Sequence, residues 1–307
     1  MLITSGILGL PSWQDFQPFL VTGLSLGGVY ALSGVGMVVL YRATGVLNLA
    51  FGAVGAMGAL IAWSLINHSG WNEWLAYAVC VLFGGVLTLV YGMVFGPALA
   101  KRDPLVKATA TLGLTLILLG VMDLLWTSSG GASRSITLPT DNNTFMVSGI
   151  QVELTNVIAI ALGLVIAVAT SAFLRYTKLG TAMRAMANDR EITATLGVPV
   201  RRVEAAAWFG CGLLSGIAGV LLADLVALDA TTLTFLVISS LAATLIAQLR
   251  SISITFVAAL VVGTVDALIT PINSITNYRD LTPFVLAAAA LLVLNRKRVI
   301  SISREGI

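Results

Sequence analysis

Apolar runs of membrane length recur along the whole chain, and they constrain the fold more than any other feature. Crossing the roughly 30 Å hydrocarbon core takes about 20 residues of α-helix, because each residue rises only about 1.5 Å. Nine approximate segments fit, at 18–41, 44–67, 74–99, 105–127, 152–174, 203–228, 231–249, 252–270 and 281–295. The sequence therefore predicts an all-α polytopic membrane protein, with residues 1–307 forming a single transmembrane domain.

The composition agrees with this class, since 58% of the residues are hydrophobic and only 10% are charged. Mean hydropathy is +0.97. Two segments leave the number of crossings open between eight and ten. Segment 231–249 is short and segment 44–67 is rich in glycine, so either could be re-entrant or broken rather than a simple crossing.

The distribution of positive charge predicts how the chain is oriented. With the N-terminus outside, only Arg134 and Arg279 of the 17 Lys and Arg lie on the outer side. All the others fall in loops and ends on the opposite side, which the positive-inside rule assigns to the cytoplasm. We therefore expect the N-terminus outside and the C-terminus in the cytoplasm.

Two polar connections stand out between the apolar segments. Residues 128–151 are rich in Gly, Ser, Thr and Asn, and predict an ordered or semi-ordered exterior loop. Residues 178–202 form the longest charged run and are predicted to be cytoplasmic, with arginines surrounding Asp189 and Glu191. A surface that carries both signs of charge favours docking of another protein. The alternative is a solvated loop that reflects the positive-inside rule alone.

No pattern of an enzyme, nucleotide or metal site is present in the sequence. There is no G-x-x-x-x-G-K-[ST] loop and no H-E-x-x-H pair, and His68 is the single histidine. Cys80 and Cys211 lie inside apolar runs, as buried thiols do. The start, MLITSGILGLPSW, lacks a basic region, so no cleaved signal peptide is expected. We predict no catalytic residue, cofactor or metal.

A few polar positions within the apolar segments are candidates for a translocation path. Asp266 is the clearest, because an ionisable residue at membrane depth is costly and usually functional. Its alternative role is pairing between helices. Further candidates are the polar or open positions Asn48, Gly52, Thr111 and Thr115. Threonine hydroxyls can equally bond back to their own helix, so a structural role stays open for them.

Three stretches resemble one transporter family. They are Gly23–Trp63, the motif TATLGLTLIL at Thr109–Leu118, and Arg184–Ala223, which begins RAMANDREITATLGVPVRR. All three are similar to the LivH-type permeases of branched-chain amino acid ABC importers, and together they span most of the chain. The loop with its following helix is the most specific match, because apolar segments alone match many transporters.

The resemblance implies a short coupling helix near Thr181–Leu196 that seats in a groove of a separate ATPase. Glu191 and Gly197 stand six residues apart, as the acid and glycine do in the EAA-type loop of import permeases. The alanines of that pattern are replaced by Ile192 and Thr193. The predicted coupling residues are Arg184, Ala185, Asp189, Glu191, Ala194 and Gly197. An apolar contact is expected from Ala185, Met186, Ala194 and Leu196.

The chain departs from the family pattern in two places. Phe51 stands where members commonly carry histidine, and Ala53 where they often carry glutamate, so this site is wholly apolar. The seventh-to-eighth connection is glycine-rich with a Pro-Gly step in the family. Here the glycines are replaced by Ala247, Gln248 and Arg250, with Ser253-Ile254 at the Pro-Gly position. We expect this turn to be built differently.

What the resemblance implies is a permease subunit of an ATP-driven importer for branched-chain amino acids, or related small amino acids or amides. Expected partners are a second permease subunit, two cytoplasmic ATPase subunits, an extracytoplasmic solute-binding protein and membrane lipid, without nucleic acid. The expected location is the plasma membrane of a prokaryote, the inner membrane if Gram-negative.

Two alternatives stay open at this point. One is a permease of the same superfamily for another solute, such as a sugar, urea or an amide. The other is an ion-coupled secondary carrier, which predicts midplane ion sites and inverted repeats. Against the carrier, the sequence shows only Asp266 and no clear repeat.

Overall fold

A computed structural model describes residues 13–100, 102–126, 134–141, 143–147, 150–272 and 276–302. The α-helices in these ranges are α1 (Trp13–Thr44), α2 (Phe51–Ser69), α3 (Glu73–Leu99), α4 (Pro104–Trp126), α5 (Leu154–Tyr176), α6 (Lys178–Asn188), α7 (Arg190–Thr195), α8 (Val200–Leu225), α9 (Ala230–Phe235), α10 (Val237–Ile246), α11 (Ile252–Ile269) and α12 (Thr282–Ile302). A 3₁₀ helix, Thr276–Leu281, precedes α12. Strands β1 (Thr144–Val147) and β2 (Ile150–Glu153) form an antiparallel hairpin between α4 and α5.

The helices confirm the predicted class of an all-α polytopic membrane protein. Within the described ranges, α1 to α5, α8 and α11 are long and apolar enough to cross a membrane. The predicted segment 281–295 corresponds to a shorter apolar helix, Thr282–Val293. Segment 231–249 is broken into α9 and α10 at Leu236, as its short length suggested. The number and direction of the crossings stay predictions of the sequence.

Segment 44–67 starts with irregular backbone instead of helix. Residues 45–50 are not helical, and α2 begins only at Phe51. Gly45 has a φ of +67°, a left-handed conformation that ends α1. Val46, Asn48 and Ala50 are nevertheless buried, so their backbone groups need partners inside the protein.

The core forms where glycines bring helix backbones together. Helix α1 packs against α11, α5 and α8, while α8 also packs against α2 and α3. Four pairs of glycines lie at these contacts: Gly27 with Gly263, Gly28 with Gly163, Gly55 with Gly219, and Gly84 with Gly212. A methyl group at any of them would overlap the backbone of the opposite helix, so no other residue fits. In lipid, close backbone contact supplies the packing energy that hydrophobic burial supplies in water.

Part of the predicted exterior loop is tied to the helices. The backbone N–H of Leu138 donates to Asp141 and to Asp224 of α8, both at 3.0 Å. Asp141 also accepts a hydrogen bond from Thr155 in α5. The described part of residues 128–151 is therefore bonded to α5 and α8, and it contains a β-hairpin in an otherwise helical chain.

Candidate functional site

The charged run predicted to couple to an ATPase folds as two helices rather than one. Thr177 caps α6 by accepting from the N–H of Gly180 at 3.0 Å. Asp189 has an extended backbone and caps α7 by accepting from the N–H groups of Glu191 and Ile192, both at 2.9 Å. An aspartate in this role is typical of a helix start. The prediction of a single helix near Thr181–Leu196 was therefore wrong, because Asp189 is the C-cap of α6 and the N-cap of α7.

One side of the pair α6–α7 is fixed to the transmembrane helices. Met183, Met186 and Thr193 are buried there. At Gly180 a methyl group would overlap the carbonyl of Phe173, so α6 lies directly against the end of α5. The expectation that Met186 offers an apolar contact to a partner was wrong, since its side chain packs into the core.

The opposite side presents apolar and charged side chains to the surroundings. Ile192 in α7 is 60% exposed, and Leu196, which directly follows α7, is 77% exposed. Gly197 follows with a φ of +82°, which lets the chain turn away after Leu196. The predicted coupling residues Arg184, Asp189, Glu191, Ala194 and Gly197 are exposed, and Ala185 is half-buried. We call this surface, with Ile192 and Leu196, the coupling face.

A partly buried ion pair holds α7 against α8. Arg190 Nε donates to Glu204 Oε1 at 2.8 Å, and the Glu204 side chain is only 14% exposed. Sequence reasoning missed this pair, because its two residues lie 14 positions apart on different helices. It also treated Ile192 only as the residue that replaces an alanine of the family pattern. A large β-branched apolar residue inside the charged run could have indicated an exposed apolar contact.

Three of the predicted path residues lie together, around the irregular backbone before α2. Thr111 accepts from the N–H of Leu49 at 3.1 Å and can donate to the carbonyl of Leu47 at 2.9 Å. Asn48 accepts from the N–H of Ala50 at 3.1 Å. Thr115 donates to the carbonyl of Thr111, as its alternative role predicted. These residues satisfy buried backbone groups, and this structural role exists whatever they do in transport.

The other two path candidates lie elsewhere. Gly52 faces α9, where a methyl group would overlap the carbonyl of Thr234. The neighbouring void, which Ser33, Ser215 and Ser240 also line, measures about 10 Å³. That is room for about one water molecule, so this void between the helices is no open channel.

Asp266 is buried at 5% exposure and forms a bidentate ion pair with Arg279. Arg279 Nη2 lies 3.1 Å from Oδ2, and Nε lies 3.3 Å from Oδ1. The pair joins α11 to the 3₁₀ helix before α12, which is the pairing role that the sequence left open. Both side chains line a cavity of about 450 Å³, together with apolar residues such as Phe235, Leu236 and Phe284.

A comparison with protein families decides what kind of protein carries these features. Residues 19–294 match the model of the family described as branched-chain amino acid transport system / permease component. The chain belongs to this family. The permease is a multi-pass membrane protein and a transport subunit, as the sequence predicted. In the part of the chain that the structure covers, no cluster of His, Cys, Asp and Glu could hold a metal ion.

Curated relatives agree with this membership at low identity. The permease is 25% identical over 295 residues to the high-affinity branched-chain amino acid transport system permease protein LivH of Escherichia coli, covering 91% of this chain and 94% of the relative. It is 28% identical over 246 residues to a probable LivH of Methanocaldococcus jannaschii, covering 78% and 76%. The fructose import permease protein FruG of Bifidobacterium longum is 24% identical over 186 residues, covering 58% and 51%. No solved structure matches the permease.

The turn between α10 and α11 differs from a glycine-rich connection, as the sequence predicted. Gln248 and Leu249 have φ values of 52° and 54°, so two consecutive side chains adopt the left-handed conformation. The N–H of Leu249 bonds to the carbonyl of Thr244 at 2.9 Å, which ends α10 without glycine. Left-handed backbone is unfavourable for such residues, so the surroundings must stabilise the turn.

Proposed function

We propose that the permease is the transmembrane subunit of an ATP-driven importer, and that its coupling face docks onto a separate ATPase. The exposed pair Ile192 and Leu196 carries this proposal. Outside the apolar helices, large exposed apolar side chains beside charges of both signs are typical of a protein contact. Arg184 and Glu191 supply those charges on the coupling face.

The attachment of the coupling face explains how movement would reach the membrane. Helix α6 packs on α1 and α5, and the Arg190–Glu204 pair ties α7 to α8. Closure of two ATPase subunits on ATP would therefore shift these helices as a body and switch the path from outward- to inward-facing. A second permease subunit, identical or related, completes the path, and an extracytoplasmic binding protein delivers the solute. This assembly belongs in the plasma membrane of a prokaryote.

For the solute we propose branched-chain or related small amino acids or amides. The cavity at Asp266 and Arg279 places a carboxylate beside a guanidinium, with Phe235 and Phe284 in its wall. An amino acid carries the complementary ammonium and carboxylate groups, and an aliphatic side chain suits an apolar wall. A sugar has no charge of its own to pair with either group. A fructose permease among the relatives keeps a sugar as the second candidate.

Co-purification tests the coupling proposal. The ATPase should purify with the wild-type permease and with the control Arg102→Gln, which changes an exposed charge between α3 and α4, outside residues 178–202. It should be lost from Ile192→Asp and from the double variant Glu191→Arg, Gly197→Trp. Loss from the control as well, or absence from every sample, would overturn the proposal and favour an ion-coupled carrier. So would solute uptake by vesicles that contain the permease alone.

The solute is tested on the cognate binding protein and in reconstituted uptake. Leucine, isoleucine and valine should bind and be transported, and fructose and urea should not compete. Uptake of fructose without leucine would contradict the amino acid proposal and leave the coupling proposal intact.

A further inference from the structure

The largest cavity of those described lies between the helix pair α6–α7, called the coupling segment below, and the helix ends beside it. It measures about 930 Å³, within the usual range for small-molecule sites. Its wall is formed by the ends of α1 and α3, the start of α4, the α6–α7 break and the α10–α11 turn. The positive-inside rule assigns this side of the chain to the cytoplasm.

The cavity wall is strongly positive. Its charged members are Arg42, Lys107, Arg190 and Arg250, and no aspartate or glutamate is among the described residues that line it. Within the wall, Lys107 and Arg190 are close enough to repel each other, and Arg184 outside the wall repels Arg42. Glu204 offsets part of this charge, because it pairs with Arg190 at 2.8 Å and also attracts Lys107. The remaining positive charge is not balanced by a carboxylate of the cavity wall.

Lys107 is the most telling member, because it is only 9% exposed. Its Nζ lies 3.5 Å from the carbonyl of Thr44, near the C-terminal end of α1. Among the described residues no carboxylate lies within salt-bridge distance of it. A helix C-terminus offsets part of the cost of burying an ammonium group, and an anion would offset more.

The α10–α11 turn is an independent sign of a binding site. Gln248 and Leu249, with their left-handed backbone, both line this cavity, and Arg250 follows them. Unfavourable backbone of this kind is concentrated at ligand sites, where the surroundings hold it in place. The unusual turn and the unbalanced charge therefore coincide at one cavity.

We propose that this cavity binds a phosphate-bearing anion, either the headgroup of an anionic phospholipid or a soluble phosphate compound. Arginine binds phosphate through paired N–H groups, and basic pockets between helices on the cytoplasmic side suit anionic headgroups. Because Met186 and Arg190 also line the cavity, the bound anion joins the coupling segment to α1, α4 and the turn. It thereby stiffens the segment against the membrane helices. The proposal is independent of the ATPase and of the transported solute.

The test is thermal unfolding of the purified full chain in nanodiscs at constant ionic strength, set with sodium chloride. One series compares phosphatidylcholine alone with a mixture that contains phosphatidylglycerol. The other adds inorganic phosphate to phosphatidylcholine nanodiscs. Lys107→Gln and Arg250→Gln change the cavity wall, and Arg201→Gln removes an exposed arginine outside it.

We expect the anion to raise the unfolding midpoint of the wild type and of Arg201→Gln. In both cavity variants the half-saturating anion concentration should rise about tenfold, as for loss of one charge-assisted hydrogen bond. Arg250 is exposed, so Arg250→Gln should fold and still tests the proposal even if Lys107→Gln fails to fold. A response to phosphatidylglycerol alone identifies a lipid, and a response to phosphate identifies a soluble ligand. No response of the wild type, or an equal loss in Arg201→Gln, would overturn the proposal.

Discussion

Helix α1 is largely buried and helix α5 is largely exposed, although the two pack against each other. Hydrophobicity does not explain this difference in burial. Most of the apolar window of α1 is buried (89%), whereas only 22% of the window in α5 is, although α5 is the more hydrophobic of the two. In water the more hydrophobic helix would be expected inside. Lipid tails are as apolar as leucine, so position is decided by residues that permit close packing.

Glycines mark that difference along the two helices. Helix α1 contacts α11 through Gly27 and α5 through Gly28. Helix α5 meets α1 through Gly163 and leaves Val165 and Val168 exposed, at 62% and 60%. Shape therefore sorts these helices more strongly than polarity does, and matched substitutions can test this.

The largest expected effect is at a glycine between helices. Gly219→Ala on α8 places a methyl group against the backbone of Gly55, and should lower the free energy of unfolding by about 3 kcal/mol or more. Gly113→Ala on α4 is the matched control, since nothing lies within 4 Å of the added atom. The control should be neutral or stabilising by up to ~1 kcal/mol. Thermal unfolding in detergent measures both, and equal losses would contradict packing by shape.

A buried charge is the next largest effect, and it tests where polarity still matters. Asp266→Asn leaves Arg279 beside a neutral amide. It should cost about 2 kcal/mol, less than for a fully buried pair, because the Arg279 side chain is 35% exposed. The double variant Asp266→Asn, Arg279→Gln should recover part of the loss. A double-mutant cycle with no coupling would show that the pair contributes nothing to stability.

The α10–α11 turn should respond in the opposite direction. Gln248→Gly and Leu249→Gly remove the penalty of left-handed backbone, and each should stabilise the chain by up to about 1 kcal/mol. Ala247→Gly is the matched control, because Ala247 has a φ of −78° and should lose stability. A rise in the unfolding midpoint for all three would mean that the backbone conformation is not the cause.

The smallest effect should come from the exposed side of α5. Val165→Ala should change stability by no more than about 0.5 kcal/mol, whereas the same change at the buried Val35 of α1 should cost about 1 to 3 kcal/mol. Unfolding of the single permease chain is the measurement. If Val165→Ala costs as much as Val35→Ala, α5 is not the lipid-facing helix that its exposure indicates.

Local sequence predicts the long helices well because hydropathy is a local property. The predicted segment 74–99 differs from α3 by one residue at its start, and 252–270 differs from α11 by one at its end. The late start of α2 could not be predicted in the same way. Its irregular backbone is bonded by Thr111, which lies on another helix and more than 60 positions away.

The site was predictable to a different degree. The charge pattern of 178–202 identified an exposed segment, and the capping preference of Asp189 was a local signal for the break between α6 and α7. The inward direction of Met186 depends on contacts between helices, which no local pattern contains. The same holds for Arg279, because a residue in a connection shows no sign of the helix that it will bind.

The glycine contact between α1 and α11 can form only late in biosynthesis. Gly27 lies in α1, and its partner Gly263 is more than two hundred residues later in the chain. At about 5–20 residues per second, roughly 10 to 50 s of translation separate them. During that interval the surface of α1 around Gly27 lacks its partner helix, and lipid or a membrane chaperone must shield it. The nascent permease is therefore exposed to quality control until α11 has entered the bilayer.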